Sequence, residues 1–265
     1  MARRPPLRVR PRLARRAGRA VCLALAAMVL AAPVLAGEHW RIVRASFAAP
    51  TTRYAHAVLG DGVEYTRLVI EVDTAEANPK AVLKTGASTV DLPLTRVFED
   101  IAPRLWDVTG DGLPEVVVIE TDMALGAQLA IYDAAGTKIA ATPHIGQTFR
   151  WLAPIGAADL DGDGRIEIAY IDRPHLAKTL RIWRFQRGRL EEVASAQGLT
   201  NHRIGEGGIT SGLRDCGQGV EIITVDADWR RVMASRLREG VIESRDLGPY
   251  DPQLGLDRAL TCARP

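Results

Sequence analysis

Carboxylates on alternate residues occur twice in this chain. Asp159-Leu-Asp161-Gly-Asp163-Gly-Arg165-Ile-Glu167 sets oxygen-bearing side chains at positions 1, 3, 5 and 9 of a loop, with glycine at position 6. The pattern stands 52 residues upstream as Asp107-Val-Thr109-Gly-Asp111-Gly-Leu113-Pro-Glu115. Oxygen ligands at positions 1, 3 and 5 with a sharp turn at 6 suit a hard cation such as calcium. An EF-hand would need a bidentate glutamate at position 12 and a helix behind the loop. Position 12 here is Tyr170 in one copy and Val118 in the other, and β-branched apolar residues follow. A strand is therefore expected behind each loop. The acid at position 9, Glu167 or Glu115, closes the ligand set, with the backbone carbonyl of Arg165 as a further donor and Leu113 at the matching place. The 107 loop carries Thr109 where the other has Asp161, one charge fewer, and is the weaker site. The alternative is a metal-free turn whose aspartates bond nearby backbone N–H groups.

Other chemistry is thinner. His39, His56, His144, His175 and His202 share no zinc-ligand spacing. A Gly-x-Ser-x-Gly elbow and a phosphate-binding loop are both missing from the sequence. Asp172-Arg173-Pro174-His175 and Asn201-His202-Arg203-Ile204-Gly205-Glu206 are the most suggestive polar stretches. A histidine–carboxylate pair there can do acid–base work near neutral pH. The plainer reading is hydrogen bonding that holds loops together.

The loops need elements to hold them. Taking the acid before each apolar run as a marker, Glu64, Glu115, Glu167 and Glu221 lie 51, 52 and 54 residues apart. A period near 50 falls in the range of propeller blades. The unit around the first loop divides into strands at Leu105–Val108, Glu115–Thr121, Gln128–Tyr132 and Lys138–Ala141. The next divides at Ala157–Leu160, Arg165–Ile171, Thr179–Phe185 and Leu190–Ala194. The stretches before Glu64 and Glu221 lack three spaced carboxylates, so these units are expected to keep the scaffold without the metal.

"DLDGDGRIEIAYID" and "DVTGDGLPEVVVIE" resemble the FG-GAP/VCBS repeats that build propellers of the integrin α-chain type. The resemblance implies an all-β propeller and calcium, and no particular reaction. The spacing of the marker glutamates, rather than the resemblance, sets the number at about four blades, near 55–100, 101–150, 151–205 and 206–250, with 251–265 and the segment before Ala55 closing or capping the ring.

Residues 1–36 read as a secretory signal: eight arginines and no acid over 1–19, an apolar run from Val21 to Leu35, and Val34-Leu35-Ala36 before Gly37. Its removal leaves 26 basic against 32 acidic residues, a charge of −6 in place of +2. That balance speaks against a nucleic-acid partner. Beyond the signal no membrane span is expected. Cys216 and Cys262 remain, an even pair expected to bridge in an oxidising compartment. The reading is a periplasmic or secreted monomer, residues 37–265, that acts as a calcium-stabilised scaffold for a protein or glycan. The alternative is a hydrolase or lyase on the same fold, using His175 or His202 with a nearby acid.

Overall fold

The computed structural model describes residues 39–75 and 84–263, so the expected signal segment lies outside the described residues. β1 (His39–Thr51), β2 (Glu64–Ala75) and β3 (Thr85–Asp91) form an antiparallel meander. β4 (Arg96–Phe98) and β5 (Arg104–Trp106) both pair with β6 (Glu115–Asp122), which continues into β7 (Gly126–Tyr132) and β8 (Lys138–Ala141). One residue pair, Tyr65 opposite Phe98, joins these two meanders into an eight-stranded sheet. β9 (Leu152–Ala158), β10 (Glu167–Asp172), β11 (Thr179–Gln186) and β12 (Arg189–Gln197) make a four-stranded sheet. β13 (Leu199–Thr200), β14 (Gly212–Asp215), β15 (Val220–Asp226), β16 (Arg231–Arg238) and β17 (Val241–Pro249) make a third, with β13 and β14 both against β15.

The marker glutamates occupy one structural place. Thr51 faces Glu64, Trp106 faces Glu115, Ala158 faces Glu167 and Arg214 faces Glu221, each in the ladder between a unit's first strand and its second. The second strands are apolar runs because both faces are buried. Val117 and Ile119 enter a core shared with Leu129, Leu152 and Ile168. Val116 and Val118, on the opposite face, pack with Leu68, Ile70 and Phe98. In the same way Ile168 and Tyr170 face one core while Ala169 and Ile171 join Leu180, Ile182 and Ile222 in the next.

The fold is all-β, with α1 (Asp257–Leu260) the one α-helix among the described residues. The strands of the four expected units form three sheets, the first two units sharing one, with no strand pairing that closes them on one another among the described residues. The reason lies in the first unit. It supplies three strands where the second unit supplies five short ones, and β2 reaches β4 through a single pair. That unit also begins at His39, upstream of the expected 55. A second correction concerns β9, which runs Leu152–Ala158 rather than Ala157–Leu160. Pro154 masks it in the sequence. It sits at a register shift, with Ala169 opposite Gly156 and Tyr170 opposite Pro154, where the ladder tolerates a missing donor. At the C-terminus Cys262 is bonded to Cys216, with Cα atoms 5.8 Å apart. On a loop-entropy basis a bridge across 46 residues contributes about 4 kcal/mol.

Candidate functional site

The two acidic turns share a backbone design. Asp159 Oδ1 accepts from the N–H groups of Gly162 (2.7 Å) and Asp163 (3.1 Å), and Oδ2 from Gly164 (2.9 Å). Asp107 accepts in the same order from Gly110, Asp111 and Gly112, at 2.7, 3.2 and 2.8 Å. The closing glutamates also match. Glu167 accepts from the Leu160 N–H and Glu115 from the Val108 N–H, both at 2.9 Å. The loops thus rest on their first and last acids.

Their middles differ. Oxygens of Asp159, Asp161 and Glu167 lie within 4.8 Å of one another, the sole such cluster among the described residues. Asp163 stays outside that cluster and pairs with Arg165. Arg184, opposite Glu167 on β11, reaches Glu167, Asp161 (2.8 Å) and Asp163 (3.2 Å). In the 107 loop Thr109 Oγ1 donates to Glu115 at 3.3 Å, and Asp111 Oδ1 accepts from the Leu113 N–H. Burial raises Glu167 and Glu115 above the usual carboxylate range, opposed by the backbone N–H of Leu160 and that of Val108 respectively. The 159 cluster offers hard oxygen donors with excess negative charge, a donor set that fits calcium.

A second constellation forms where first strands are interrupted. Between β4 and β5 the chain leaves the ladder at Glu99 and Asp100, and Asp100 Oδ2 accepts from the Ile119 N–H at 2.9 Å. Glu99, fully buried, then bonds His56 Nδ1 and accepts from Thr121 Oγ1 at 2.6 Å. Between β13 and β14 the chain leaves again at Asn201 and His202. His202 is buried against the Trp151 ring, centroids 4.9 Å apart. The loop carrying His56 docks on this excursion, since the Gly205 N–H donates to the Val58 carbonyl at 3.1 Å. Gly60, at φ +94°, permits the approach: a Cβ there would meet the Gly205 carbonyl oxygen at 2.6 Å.

The result is a cavity of about 220 Å³ lined by His56, Phe149, Arg150, Trp151, Arg173 and His175, with Val58, Leu176 and Ile204. His202 Nε2 lies 2.7 Å from the Glu206 carbonyl and must donate to it. With His202 neutral, its Nδ1 accepts from His175 Nε2, 2.9 Å away. His175 Nδ1 then carries no proton. Burial, with His202 and His56 nearby, pushes His175 down to about 4. Burial lowers His202 as well and raises Glu99.

His175 and His202 therefore meet. Glu206 supplies its backbone carbonyl, while its carboxylate faces Arg203 at 3.8 Å. His144 bonds the Gly126 carbonyl elsewhere. His56, Glu99, Phe149 and Trp151 were not singled out from the sequence. The one signal for His56 is its place eight residues before Glu64, where Asp107 precedes Glu115 and Asp159 precedes Glu167. Arg184 was equally unmarked, although it lies on an alternating strand opposite a marker glutamate.

Residues 107–170, spanning both acidic loops, match the FG-GAP-like repeat family, so the chain carries an FG-GAP repeat. No curated protein matches the sequence. Among solved structures the fold is similar to the exotype rhamnogalacturonan lyase YesX, at 16% identity and a TM-score of 0.40, over 79% of this chain and 48% of that one. It is also similar to the Bacillus licheniformis rhamnogalacturonan lyase PL11, at 14% identity and 0.37, over 78% and 49%. The chain spans about half the length of these structures.

Proposed function

We propose that this protein is an exported, calcium-bearing propeller module whose work is binding, with the ion holding a blade loop. The observation that carries the reading is the convergence of Asp159, Asp161 and Glu167 at the turn into β10. Asp159, Asp161, Asp163, Glu167 and the Arg165 carbonyl would hold the ion. Asp107, Thr109, Asp111, Glu115 and the Leu113 carbonyl would form a weaker second site. Calcium competes with the guanidinium of Arg184 for Asp161 and Glu167, so affinity belongs in the weak range of extracellular modules, on the order of 10⁻⁴–10⁻³ M. The four repeat units form an arc or ring of blades. A protein or glycan binds at its loops, and the chain acts as a monomer in the periplasm or outside the cell. The Cys216–Cys262 bond and the signal-like leader support export.

Thermal unfolding in calcium against EDTA, with a calorimetric titration, tests the ion. A rise in Tm with one or two sites is expected. An absence of both heat and shift would leave plain turns.

The second reading is a hydrolase or lyase at the histidine pocket, favoured by the His175–His202 bond beside His56 and Glu99. Release of new chain ends from extracellular polysaccharides, abolished by His175→Gln, is the outcome it requires. Equal release by the variant would remove His175 from the chemistry.

A further inference from the structure

We infer that the pocket between His56, Trp151 and His175 seats a small ring-bearing carboxylate with a hydroxyl group; this rests on reading the protein as a binding module. None of the lining residues is acidic, while the guanidinium groups of Arg150 and Arg173 stand on its wall beside His56 and the neutral His175. That is a local reversal in a chain whose residues 37–265 carry a charge of −6. Arg173 is already committed to Asp172 through two bonds, at 2.8 and 2.9 Å. Arg150 has one bond, from Nη1 to the Phe149 carbonyl at 2.8 Å, so its other N–H donors are available to an anion. A guanidinium with free donors matches a carboxylate in charge and geometry.

The mouth is apolar. Phe149, Leu176 and Ile204 are 43%, 63% and 71% exposed, three large side chains left in solvent around one opening. Trp151 gives a buried aromatic surface beside them. An apolar rim over a cationic wall fits an amphipathic anion, and about 220 Å³ admits one ring rather than a long chain. His175 adds an acceptor, because the bonds through His202 to the Glu206 carbonyl leave its Nδ1 unprotonated. That lone pair suits a ligand hydroxyl.

The backbone is held in unusual states here. Phe149 (φ 54°) and Arg173 (φ 46°) line the cavity in the left-handed region, and Ala57 (φ 54°) joins the lining residues His56 and Val58. Such backbone is strained for residues other than glycine and clusters at ligand clamps. The Tyr54 hydroxyl fixes Phe149 by accepting from its N–H at 2.7 Å, and their rings stack at 5.0 Å.

The ring can be aromatic or a sugar, and titration calorimetry on the full chain separates them. The probes are 4-hydroxybenzoate and glucuronate, with 4-hydroxybenzamide and glucose as their uncharged counterparts. At least one acid binds at least tenfold more tightly than its counterpart, and which one does identifies the ring. Arg150→Gln and the double variant Leu176→Ser/Ile204→Ser each weaken it at least fivefold with an unchanged Tm. In wild type, the His175 imidazole resonance moves on saturation, a readout that needs no variant to fold. Binding of neither acid overturns the assignment, as does unchanged affinity in Arg150→Gln. Equal binding of the uncharged compounds removes the anion and leaves a binding module. The calcium titration is independent of all these outcomes.

Discussion

The loops at 107 and 159 have the same turn and different middles. In both, the first aspartate gathers three backbone N–H groups and the last glutamate takes a fourth. In the 107 loop a threonine hydroxyl completes the glutamate. In the 159 loop an aspartate stands there instead, and Arg184 from the neighbouring strand answers the added charge. The first and last acids thus fix the turn through backbone N–H groups in both copies. The third position, with the residue across the ladder, decides whether the turn concentrates negative charge. The fourth unit carries the trend to its limit. Burial pushes Glu221 up, but Arg245 and Arg214 outweigh it and hold it below the usual range, with Arg236 also 2.9 Å away. The first unit has the opposite arrangement. Glu64 is buried with no cation paired to it among the described residues, and burial, then Glu99, Asp61 and Asp100, pushes it up to about 9.

The largest expected effect separates the two closing glutamates. Glu167→Ala strips Arg184 of its most buried partner and leaves the Leu160 N–H unpaired, a loss of about 3 kcal/mol. Glu115→Ala leaves one N–H and one hydroxyl unpaired, a loss of about 1–2 kcal/mol. Urea unfolding of both in EDTA gives the difference. Equal losses would show that Arg184 adds nothing to the turn.

Glu64→Gln extends the comparison to the unit without a cation. Folded Glu64 keeps its proton to about pH 9, while its ordinary value is 4.5. Between those values the unfolded chain binds fewer protons, so this group lowers stability as pH rises from about 4.5 towards 9. Glutamine, always neutral, removes that slope. A gain on the order of 2 kcal/mol is expected at pH 8 and little at pH 4. A gain of the same size at both pH values would point to packing instead.

Arg184→Met tests the internal cation. In EDTA it exposes Asp161, Asp163 and Glu167 to one another and costs about 1–2 kcal/mol. In calcium the loss is recovered, so the calcium-dependent rise in Tm exceeds that of wild type. If calcium stabilises the variant no more than wild type, the guanidinium and the ion do not share those oxygens.

The turns and the strands behind them were legible because their residues are local. Asp159 and Glu167 lie within nine positions, and a period near 50 repeats the arrangement. β6, β7, β8 and β11 fall within two residues of their expected bounds. β9 was displaced because proline reads as a break unless the bulge opposite Tyr170 is known. The pocket was illegible for another reason. His56 and Glu99 are 43 residues apart, and His175 and His202 are 27 apart. Their meeting depends on breaks in first strands and on left-handed backbone at Phe149 and Arg173, neither of which has a composition signal. Arg184 falls between these cases. Its strand, Thr179–Phe185, was expected, but register alone sets it opposite Glu167.

The smallest effect on stability is the sharpest on the comparison. Thr109→Asp gives the 107 loop the third carboxylate of its neighbour on a backbone that already matches. The new charge meets Glu115 where the threonine hydroxyl had donated, and no arginine is paired with Glu115 to answer it. In EDTA the variant should lose about 1 kcal/mol or less, since position 109 and Asp111 are exposed and screened. In calcium it should gain a site tighter than the 159 loop, because no guanidinium has to be displaced. Calorimetry decides between two accounts of the repeat. A new site would mean that the third position alone governs metal capacity. Repulsion without binding would mean that the strand opposite must also shape the cluster, and that Arg184 organises the acids of the 159 loop as well as competing for them.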